Sequence, residues 1–242
     1  MDASPGPAQS ITPAASVAPF ALALMEGPRR VGVAMGSGHL RFQDVVLTLT
    51  PVGAPRMPNG VECSVPPIEA GSRVSVGGGR LEVAGTRILP GPAWEPVPHS
   101  RFAVDTQPKR SLDQILFRVG SGPGLTPLGD DVLAGYLAAR FLSGDPVEGA
   151  QVAEALSSTT ALSATLLQLA AEGALAEPAH RLLEDGALEP LLSWGATSGS
   201  GVLVGLGLGG RDRPDGLPVS VRDVALPLDP AMTFTVSLFP LR

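Results

Sequence analysis

Short apolar runs separated by glycine, proline or asparagine dominate residues 30–89. Each run alternates or is rich in β-branched residues, which is typical of short strands. The predicted strands are residues 30–35, 45–49, 61–65, 73–76, 80–83 and 86–89. Three consecutive glycines at residues 77–79 predict a hairpin turn between two of them. Several short strands at this spacing predict a small barrel or a sandwich.

The pattern changes to helical spacing after Ser111, which is expected to act as an N-cap. Apolar residues then recur at helical intervals, with glycine or proline between the segments. The predicted helices are residues 130–142, 145–156, 160–171, 178–184, 187–192 and 202–208, and a shorter one lies earlier, at residues 17–26. Residues 219–226 and 233–239 have an extended pattern that suits a return to the β region.

These patterns predict an α+β fold, in which an N-terminal β-rich domain, barrel- or sandwich-like, is followed by a mainly α-helical domain. Residues 1–15 are rich in Ala, Pro and Ser, and we expect them to be a disordered extension. The β-rich domain with its proline-rich connector is predicted to span residues 16–108. Residues 109–242 are predicted to form the helical domain, with glycine-rich loops and C-terminal extended segments.

The composition excludes several classes of protein. Of the 242 residues, 44% are hydrophobic and 17% charged, which excludes a mostly disordered chain. The net charge of −6 and the lack of a Lys/Arg cluster argue against nucleic acid as a partner. No apolar run reaches the roughly 18 residues of a membrane span, and residues 1–19 lack the basic start of a signal peptide, so a cytoplasmic protein is expected. Cys63 is the sole cysteine, so neither a disulfide nor a cysteine-based metal site is expected.

Residues 120–127 combine glycines and prolines in a way that suits ligand binding. Gly122 and Gly124 allow a ligand to approach the main chain closely. Pro127 restricts Thr126 to an extended backbone, so a helix can begin only at or after this point. The N–H groups at the start of such a helix suit a phosphate or a carboxylate.

Two adjacent carboxylates, Asp130 and Asp131, fall in the first turn of that helix. Their side chains diverge by about 100°, so one can brace the loop while the other points into a cleft. A structural explanation is equally open, because acidic residues stabilise a helix's first turn and Gly-Pro-Gly is common in linkers. Neither a phosphate-binding Gly-Lys-Ser/Thr ending nor a strand–helix–strand unit accompanies the loop.

A second glycine-rich stretch, residues 195–201, offers the hydroxyls of Thr197 and Ser198. The glycines in and after it are Gly199, Gly201, Gly205, Gly207 and Gly209. Each costs a helix about 1 kcal/mol relative to Ala, so this helix must pack closely against a neighbour. Gly135 is the predicted counterpart, and this packing would bring the two glycine-rich stretches to one small-molecule site. A tight helix pair without a ligand is the alternative.

The same residues resemble a known family. Residues 122–135 read GPGLTPLGDDVLAG, which closely resembles the signature of the DUF2877 family of AllH-like subunits of oxamate carbamoyltransferase. Residues 160–173 resemble a second block of that family, and residues 197–206 resemble a third. Order and spacing agree over residues 16–210, with the β region similar in outline.

The resemblance implies a subunit of an enzyme of purine or allantoin breakdown that converts oxalurate and phosphate to oxamate and carbamoyl phosphate. Asp130 and Asp131 are the candidate catalytic residues. The candidate substrate-binding residues are Gly122, Gly124, Thr126, Gly129, Thr197, Ser198 and Gly199, with Ser163 as a secondary candidate. The expected partners are a small anion (phosphate, carbamoyl phosphate, or an oxamate- or oxalurate-like acid) and other subunits. No metal ligand set and no cofactor are expected, with Mg²⁺ as an alternative.

Two positions depart from the family's pattern. Ser121 precedes the first motif, and Ala196 stands where a histidine commonly precedes Thr-Ser-Gly. A paralogue with another substrate is therefore one alternative. The others are a non-catalytic subunit that uses the loops as a protein interface, and an Mg²⁺-dependent hydrolase that uses the aspartate pair.

Overall fold

The six strands that the short apolar runs predict all belong to one sheet, which has nine strands in total. The computed structural model describes residues 10–64, 67–210, 218–225 and 233–241. It divides into two units, Met1–Glu95 and Pro96–Arg242. The first unit contains one helix, α1 (Pro19–Glu26), and the strands β1 (Ser10–Pro13), β2 (Ser16–Val17), β3 (Arg30–Gly36), β4 (His39–Phe42), β5 (Val45–Thr50), β6 (Gly60–Glu62), β7 (Arg73–Val76), β8 (Leu81–Val83) and β9 (Thr86–Leu89).

The nine-stranded sheet is curled, and its two ends meet. The strand order is β1-β9-β8-β7-β3-β4-β5-β6-β2, so β1 and β2 lie at opposite ends although they are neighbours in sequence. Between them, the Ala14 N–H donates to the Leu89 carbonyl on β9 at 3.0 Å, and the Ala15 N–H donates to the Glu62 carbonyl on β6 at 2.7 Å. Phe42 and Met25 are among the fully buried side chains inside the curl. The α+β prediction with a barrel-like β region is therefore confirmed.

The first strand lies where the sequence predicted a disordered extension. Ser10–Pro13 pairs with β9 in parallel, and the Ser10 hydroxyl lies 2.9 Å from that of Thr86. The local sequence, which is rich in Ala, Pro and Ser, does not predict this pairing, because the partner strand lies some 75 residues away. The predicted hairpin at residues 77–79 is confirmed, because it joins β7 and β8 as antiparallel neighbours. The predicted extension over residues 1–9 and the predicted strand residue Val65 lie outside the described residues.

The second unit is mainly helical, as predicted. Its helices are α2 (Leu112–Leu116), α3 (Leu128–Leu142), α4 (Gly149–Ser157), α5 (Ala161–Ala171), α6 (Glu177–Asp185), α7 (Leu188–Leu192) and α8 (Ser198–Gly209). Ser111 caps α2 in a capping box with Gln114, which confirms the predicted N-cap. Over the described ranges of the chain, no helix has both the length and the apolar character needed to cross a bilayer.

A three-stranded antiparallel sheet completes this unit, in the order β10 (Phe102–Gln107), β12 (Thr233–Pro240) and β11 (Ser220–Ala225). β12 therefore pairs with β10, β11 pairs with β12, and neither rejoins the nine-stranded sheet. β10 lies inside the predicted proline-rich connector, and it belongs to the unit that begins at Pro96. Leu226, predicted to extend the first of these segments, is not among the described residues.

The helices α3 and α8 pack closely because glycines face each other. A Cβ atom placed on Gly135 would lie 2.2 Å from the Val202 carbonyl oxygen. One placed on Gly205 would lie 2.0 Å from the carbonyl oxygen of Val132. Both distances are far below any real carbon–oxygen contact, so the main chains of the two helices touch directly. The predicted close pairing through Gly135 is confirmed, and it fixes the starts of α3 and α8 side by side.

Candidate functional site

The turn between α4 and α5 holds the first glycine loop, which we define as residues 120–127. Gly120 has a φ of +73° and lies so close to this turn that a Cβ atom would be 2.5 Å from the Ser158 carbonyl oxygen. The hydroxyls of Thr160 and Ser163 both donate to the Leu125 carbonyl, at 2.5 and 3.3 Å. Thr160 also caps α5, because its hydroxyl accepts from the Ser163 N–H at 3.0 Å. The α4–α5 turn and the start of α5 thus hold the loop in place, while the tip of the loop is exposed.

Asp130 braces this loop from the first turn of α3. The side chain is 2% exposed, and its Oδ1 accepts a hydrogen bond from the Gly120 N–H at 2.7 Å. Its Oδ2 accepts a hydrogen bond from the Thr159 hydroxyl. Each carboxylate oxygen of Asp130 therefore accepts one hydrogen bond from the loop or from the α4–α5 turn.

Asp131 points away from Asp130, toward the start of α8. It is 6% exposed, and its Cβ lies beside Gly201, where a further Cβ atom would be 2.8 Å away. Its Oδ2 is buried and has no hydrogen-bond partner among the described residues. Burial raises the pKa of Asp131 to about 7, the Asp130 carboxylate raises it as well, and a hydrogen bond from the Ser198 hydroxyl opposes the rise. Asp131 is therefore a buried carboxyl that changes protonation near neutral pH.

The two glycine-rich stretches meet at their hydroxyls. The Thr126 Oγ1 on the first glycine loop lies 3.3 Å from the Ser198 Oγ at the start of α8. Since Ser198 also hydrogen-bonds to Asp131, a line of hydroxyls leads from the buried carboxyl to the first glycine loop. We call this group of Thr126, Ser198 and Asp131 the loop junction.

The predicted binding residues fall into two groups by the state of their N–H groups. The N–H groups of Gly129 and Gly199 donate to the carbonyls of Ser121 and Trp194, at 3.3 and 3.0 Å. Both glycines also pack against main chain. A Cβ atom on Gly129 would lie 1.8 Å from the Arg118 carbonyl oxygen, and one on Gly199 would lie 1.7 Å from the Leu191 carbonyl oxygen. Their glycine identity is explained by packing.

The other group remains open to a ligand. Gly122 and Gly124 are exposed, and their N–H groups donate to no acceptor in the described part of the chain. A Cβ atom on Gly124 would meet nothing within 4 Å. Thr197 precedes α8 and, unlike Thr160, makes no side-chain cap hydrogen bond. The groups around the loop junction that can still bind an anion are therefore these two glycines together with the hydroxyls of Thr126, Thr197 and Ser198.

The loop junction offers Mg²⁺ a single carboxylate, that of Asp131. This cation is usually held by one or two carboxylates together with waters, but both oxygens of Asp130 already accept hydrogen bonds. In the ranges that the structure describes, no group of three or more His, Cys, Asp or Glu residues is arranged to hold a metal. Asp131 would thus be the sole carboxylate ligand at the loop junction.

Thr159 is a site residue that sequence reasoning missed. Its hydroxyl binds Asp130 and so determines which of the two aspartates is the brace. The available signal was its place immediately before Thr160, the N-cap of α5, because such caps often belong to short polar runs.

Replacing Asp131 with Asn is expected to remove a pH dependence of stability. The pKa of this carboxyl is about 7 in the folded protein, against an ordinary value of 3.8, so folding favours its protonated form. The resulting stabilisation is complete below about pH 4 and is lost as the pH rises to about 7, by up to about 1.4 kcal/mol per pH unit. Asp131→Asn should therefore show a flatter curve of unfolding free energy against pH, measured by urea unfolding. Parallel curves for the two proteins would contradict the burial of this carboxyl.

Asp130→Asn is the matched comparison, because it makes the same chemical change one residue away. Its amide oxygen can still accept from the Gly120 N–H and its NH₂ can donate to the Thr159 hydroxyl, so two charge-assisted hydrogen bonds become neutral ones. We expect it to lose about 2 kcal/mol of unfolding free energy across the same pH range.

Comparison with known proteins places this site inside a recognised segment. No curated protein and no solved structure matches the chain. The family match begins at residue 118, so the outline agreement that the sequence suggested for the β region is not part of it. Residues 118–210, which contain both glycine-rich stretches and both aspartates, match the family described as "Oxamate carbamoyltransferase subunit AllH", and the predicted resemblance to that family is confirmed over this segment.

Proposed function

We propose that this chain is a subunit of a carbamoyltransferase-type enzyme and binds a small anionic substrate at the loop junction. The observation that carries the proposal is the buried, unpaired Oδ2 of Asp131 beside Ser198, at the point where the two glycine-rich stretches meet. A carboxyl oxygen buried without a partner is costly to the fold, and a buried carboxyl with a strongly raised pKa is a candidate for a functional residue. The family match over residues 118–210 supports the reaction class.

The substrates we propose are oxalurate and phosphate, converted to oxamate and carbamoyl phosphate. A phosphate oxygen attacks the carbamoyl carbon of oxalurate and forms a new C–O bond. The bond from that carbon to the oxamate nitrogen then breaks, and the nitrogen takes up a proton. In the reverse direction the oxamate nitrogen attacks carbamoyl phosphate and loses that proton.

Asp131 is suited to supply and receive this proton. A pKa near the working pH is the most effective for general acid–base catalysis, and that of Asp131 is about 7. Because the carboxyl is buried, the proton would pass through the Ser198 hydroxyl to the substrate. Ser198 would thus lie between the reacting nitrogen and Asp131, and Asp130 would position the first glycine loop.

Charge on the substrate oxygens would be stabilised by the first glycine loop. The N–H groups of Gly122 and Gly124 are available there, and such preorganised donors stabilise the oxyanion of acyl transfer. Gly129 and Gly199 are not part of this proposal, because their N–H groups already donate to carbonyls. Ser163 would help to hold the first glycine loop in place, because its hydroxyl donates to the Leu125 carbonyl. We also propose that the enzyme is cytoplasmic and that this chain assembles with other subunits.

Binding of an anion to the isolated chain tests the proposal. A ligand that binds only the folded state at ten times its Kd stabilises it by about 1.4 kcal/mol, or about 4 °C in Tm for a chain of this size. We expect oxamate or phosphate to give such a rise, and potassium chloride of equal ionic strength to give none. Thr126→Val keeps the shape of the side chain but removes its hydroxyl, and it should reduce the rise. No rise with either anion at millimolar concentration would contradict the proposed site.

The same experiment addresses the non-catalytic alternative. The exposed tip of the first glycine loop includes Leu125, which is 41% exposed. If the loop served only as a protein interface, Thr126→Val would weaken assembly with other subunits, and neither anion would change the Tm of the chain.

A further inference from the structure

Three arginines contact one glutamate, and a fourth lies nearby, on the face of the curled sheet that is turned away from its core. Arg87 on β9 pairs with Glu82 on β8, which pairs with Ser75 on β7. The next residue in this row is Val31 on β3, which is 49% exposed, so the row lies on the outer face. The row borders an open cavity of about 290 Å³, which Arg29 and Arg73 also line. We call it the arginine cavity.

The carboxylate of Glu82 is shared among more positive groups than it can neutralise. Arg29 and Arg80 each donate to it at 2.7 Å, and the Ser75 hydroxyl donates at 3.0 Å. The hydrogen bonds from Arg80 and Ser75 lower the pKa of Glu82, so it stays ionised at neutral pH. Its single negative charge therefore leaves most of the guanidinium charge around it uncompensated.

Two guanidinium groups at the cavity lack a full partner. The Arg87 Nε lies 3.4 Å from a Glu82 oxygen but is buried without a hydrogen bond in the described structure. Arg73, within the same described part of the chain, forms no ion pair or side-chain hydrogen bond. Four guanidinium groups and one carboxylate give the cluster a net charge of +3, although the chain as a whole carries −6. A local excess of positive charge thus lies at the arginine cavity.

This arrangement suits a small organic anion. Guanidinium groups match the oxygens of phosphate and carboxylate with two parallel hydrogen bonds. Val31 adds apolar surface to the lining, and the cavity is larger than a single phosphate ion. A ligand with one phosphate or carboxylate group on a short carbon skeleton fits both features.

We propose that the arginine cavity is a binding site for a small phosphate- or carboxylate-bearing molecule, held by Arg73 and Arg87. It lies in the first unit, outside residues 118–210, so it is independent of the function proposed for the loop junction. Glu82 and Arg80 hold the cluster together, while Arg29, Arg73 and Arg87 present their guanidinium groups to the ligand.

Residue-resolved NMR of the full chain tests this site separately from the loop junction. We expect inorganic phosphate, malonate or both to shift the amide signals of Ser75, Glu82 and Arg87 along a saturable curve, at constant ionic strength set with potassium chloride. Saturation with phosphate alone identifies a phosphate-bearing ligand, and saturation with malonate alone identifies a carboxylate. The double variant Arg73→Ala/Arg87→Ala should bind the effective anion at least about tenfold more weakly.

Arg30→Ala is the control, because Arg30 is an exposed arginine on β3 that does not line the cavity. It removes one positive charge from the same sheet and should leave the affinity within about twofold of the original. The proposal is overturned if neither anion gives a saturable shift at these three residues, or if the double variant titrates like the unmodified chain. Signals from the first glycine loop in the same spectra report on the loop junction, so failure of one site is distinguishable from failure of the other.

Discussion

Gly135→Ala is expected to lower the free energy of unfolding by about 3 kcal/mol, the largest loss of stability that we predict for a single methyl group. The added Cβ would lie 2.2 Å from the Val202 carbonyl oxygen and 2.8 Å from the Leu206 nitrogen. These are main-chain atoms of α8, which no side-chain rotation can move aside. Gly205→Ala meets α3 in the same way, at 2.0 Å from Val132, and should cost a similar amount. Urea unfolding followed by circular dichroism measures both.

Gly149→Ala is the matched control for this prediction. It lies at the start of α4, and a Cβ atom there would meet nothing within 4 Å. Since Ala is favoured over Gly in a helix, its free energy of unfolding should be unchanged or up to about 1 kcal/mol higher. If Gly135→Ala and Gly149→Ala unfolded at the same urea concentration, α3 and α8 would not be in main-chain contact.

Asp131→Asn is expected to lower the turnover of the assembled enzyme by about 10²- to 10⁴-fold, the range that loss of a general acid or base produces. The amide has nearly the same shape as the carboxyl but has no proton to exchange near neutral pH. The loss should fall on kcat more than on KM, because we place Asp131 behind Ser198 and away from the substrate's charged groups. The measurement is the rate of carbamoyl phosphate formation from oxalurate and phosphate.

Asp113→Asn serves as the control for this change, because Asp113 is an exposed acid in the first turn of α2. It should leave turnover unchanged. The dependence of kcat on pH separates a proton-transfer role from a structural one, since the titration near pH 7 should disappear in Asp131→Asn. Full turnover with an unchanged pH profile in that variant would exclude Asp131 from the chemistry.

The fold could be predicted where local pattern decides structure. β7 and β9 have the bounds that their alternation predicts, and Ser111 caps α2 as its sequence suggests. β10 was missed because Phe102–Gln107 lies among prolines and acquires its structure by pairing with Thr233–Pro240, far along the chain. Ser10–Pro13 was missed for the same reason. Long-range pairing of this kind leaves little trace in the local sequence.

The sequence predicted which residues meet at the site, but it did not predict which aspartate braces the loop. The glycine content of α8 required a close neighbour, and Gly135 is that neighbour. Helical geometry also required the side chains of Asp130 and Asp131 to diverge. Which of them braces the loop depends on Thr159, a residue of the α4–α5 turn that approaches only in the folded chain. Burial then assigns the proton-transfer role in our proposal to Asp131, and no local pattern reveals that burial.

We propose that the two glycine-rich stretches form one anion site, and the position at which oxamate binds tests this proposal. In an NMR titration of the isolated chain, we predict that the amide signals of Gly122 and Gly124 shift together with those of Thr197 and Ser198. All four should follow one saturation curve, because one bound anion contacts both loops. Signals that shift in one loop alone, or in the two loops with different dissociation constants, would contradict a shared site.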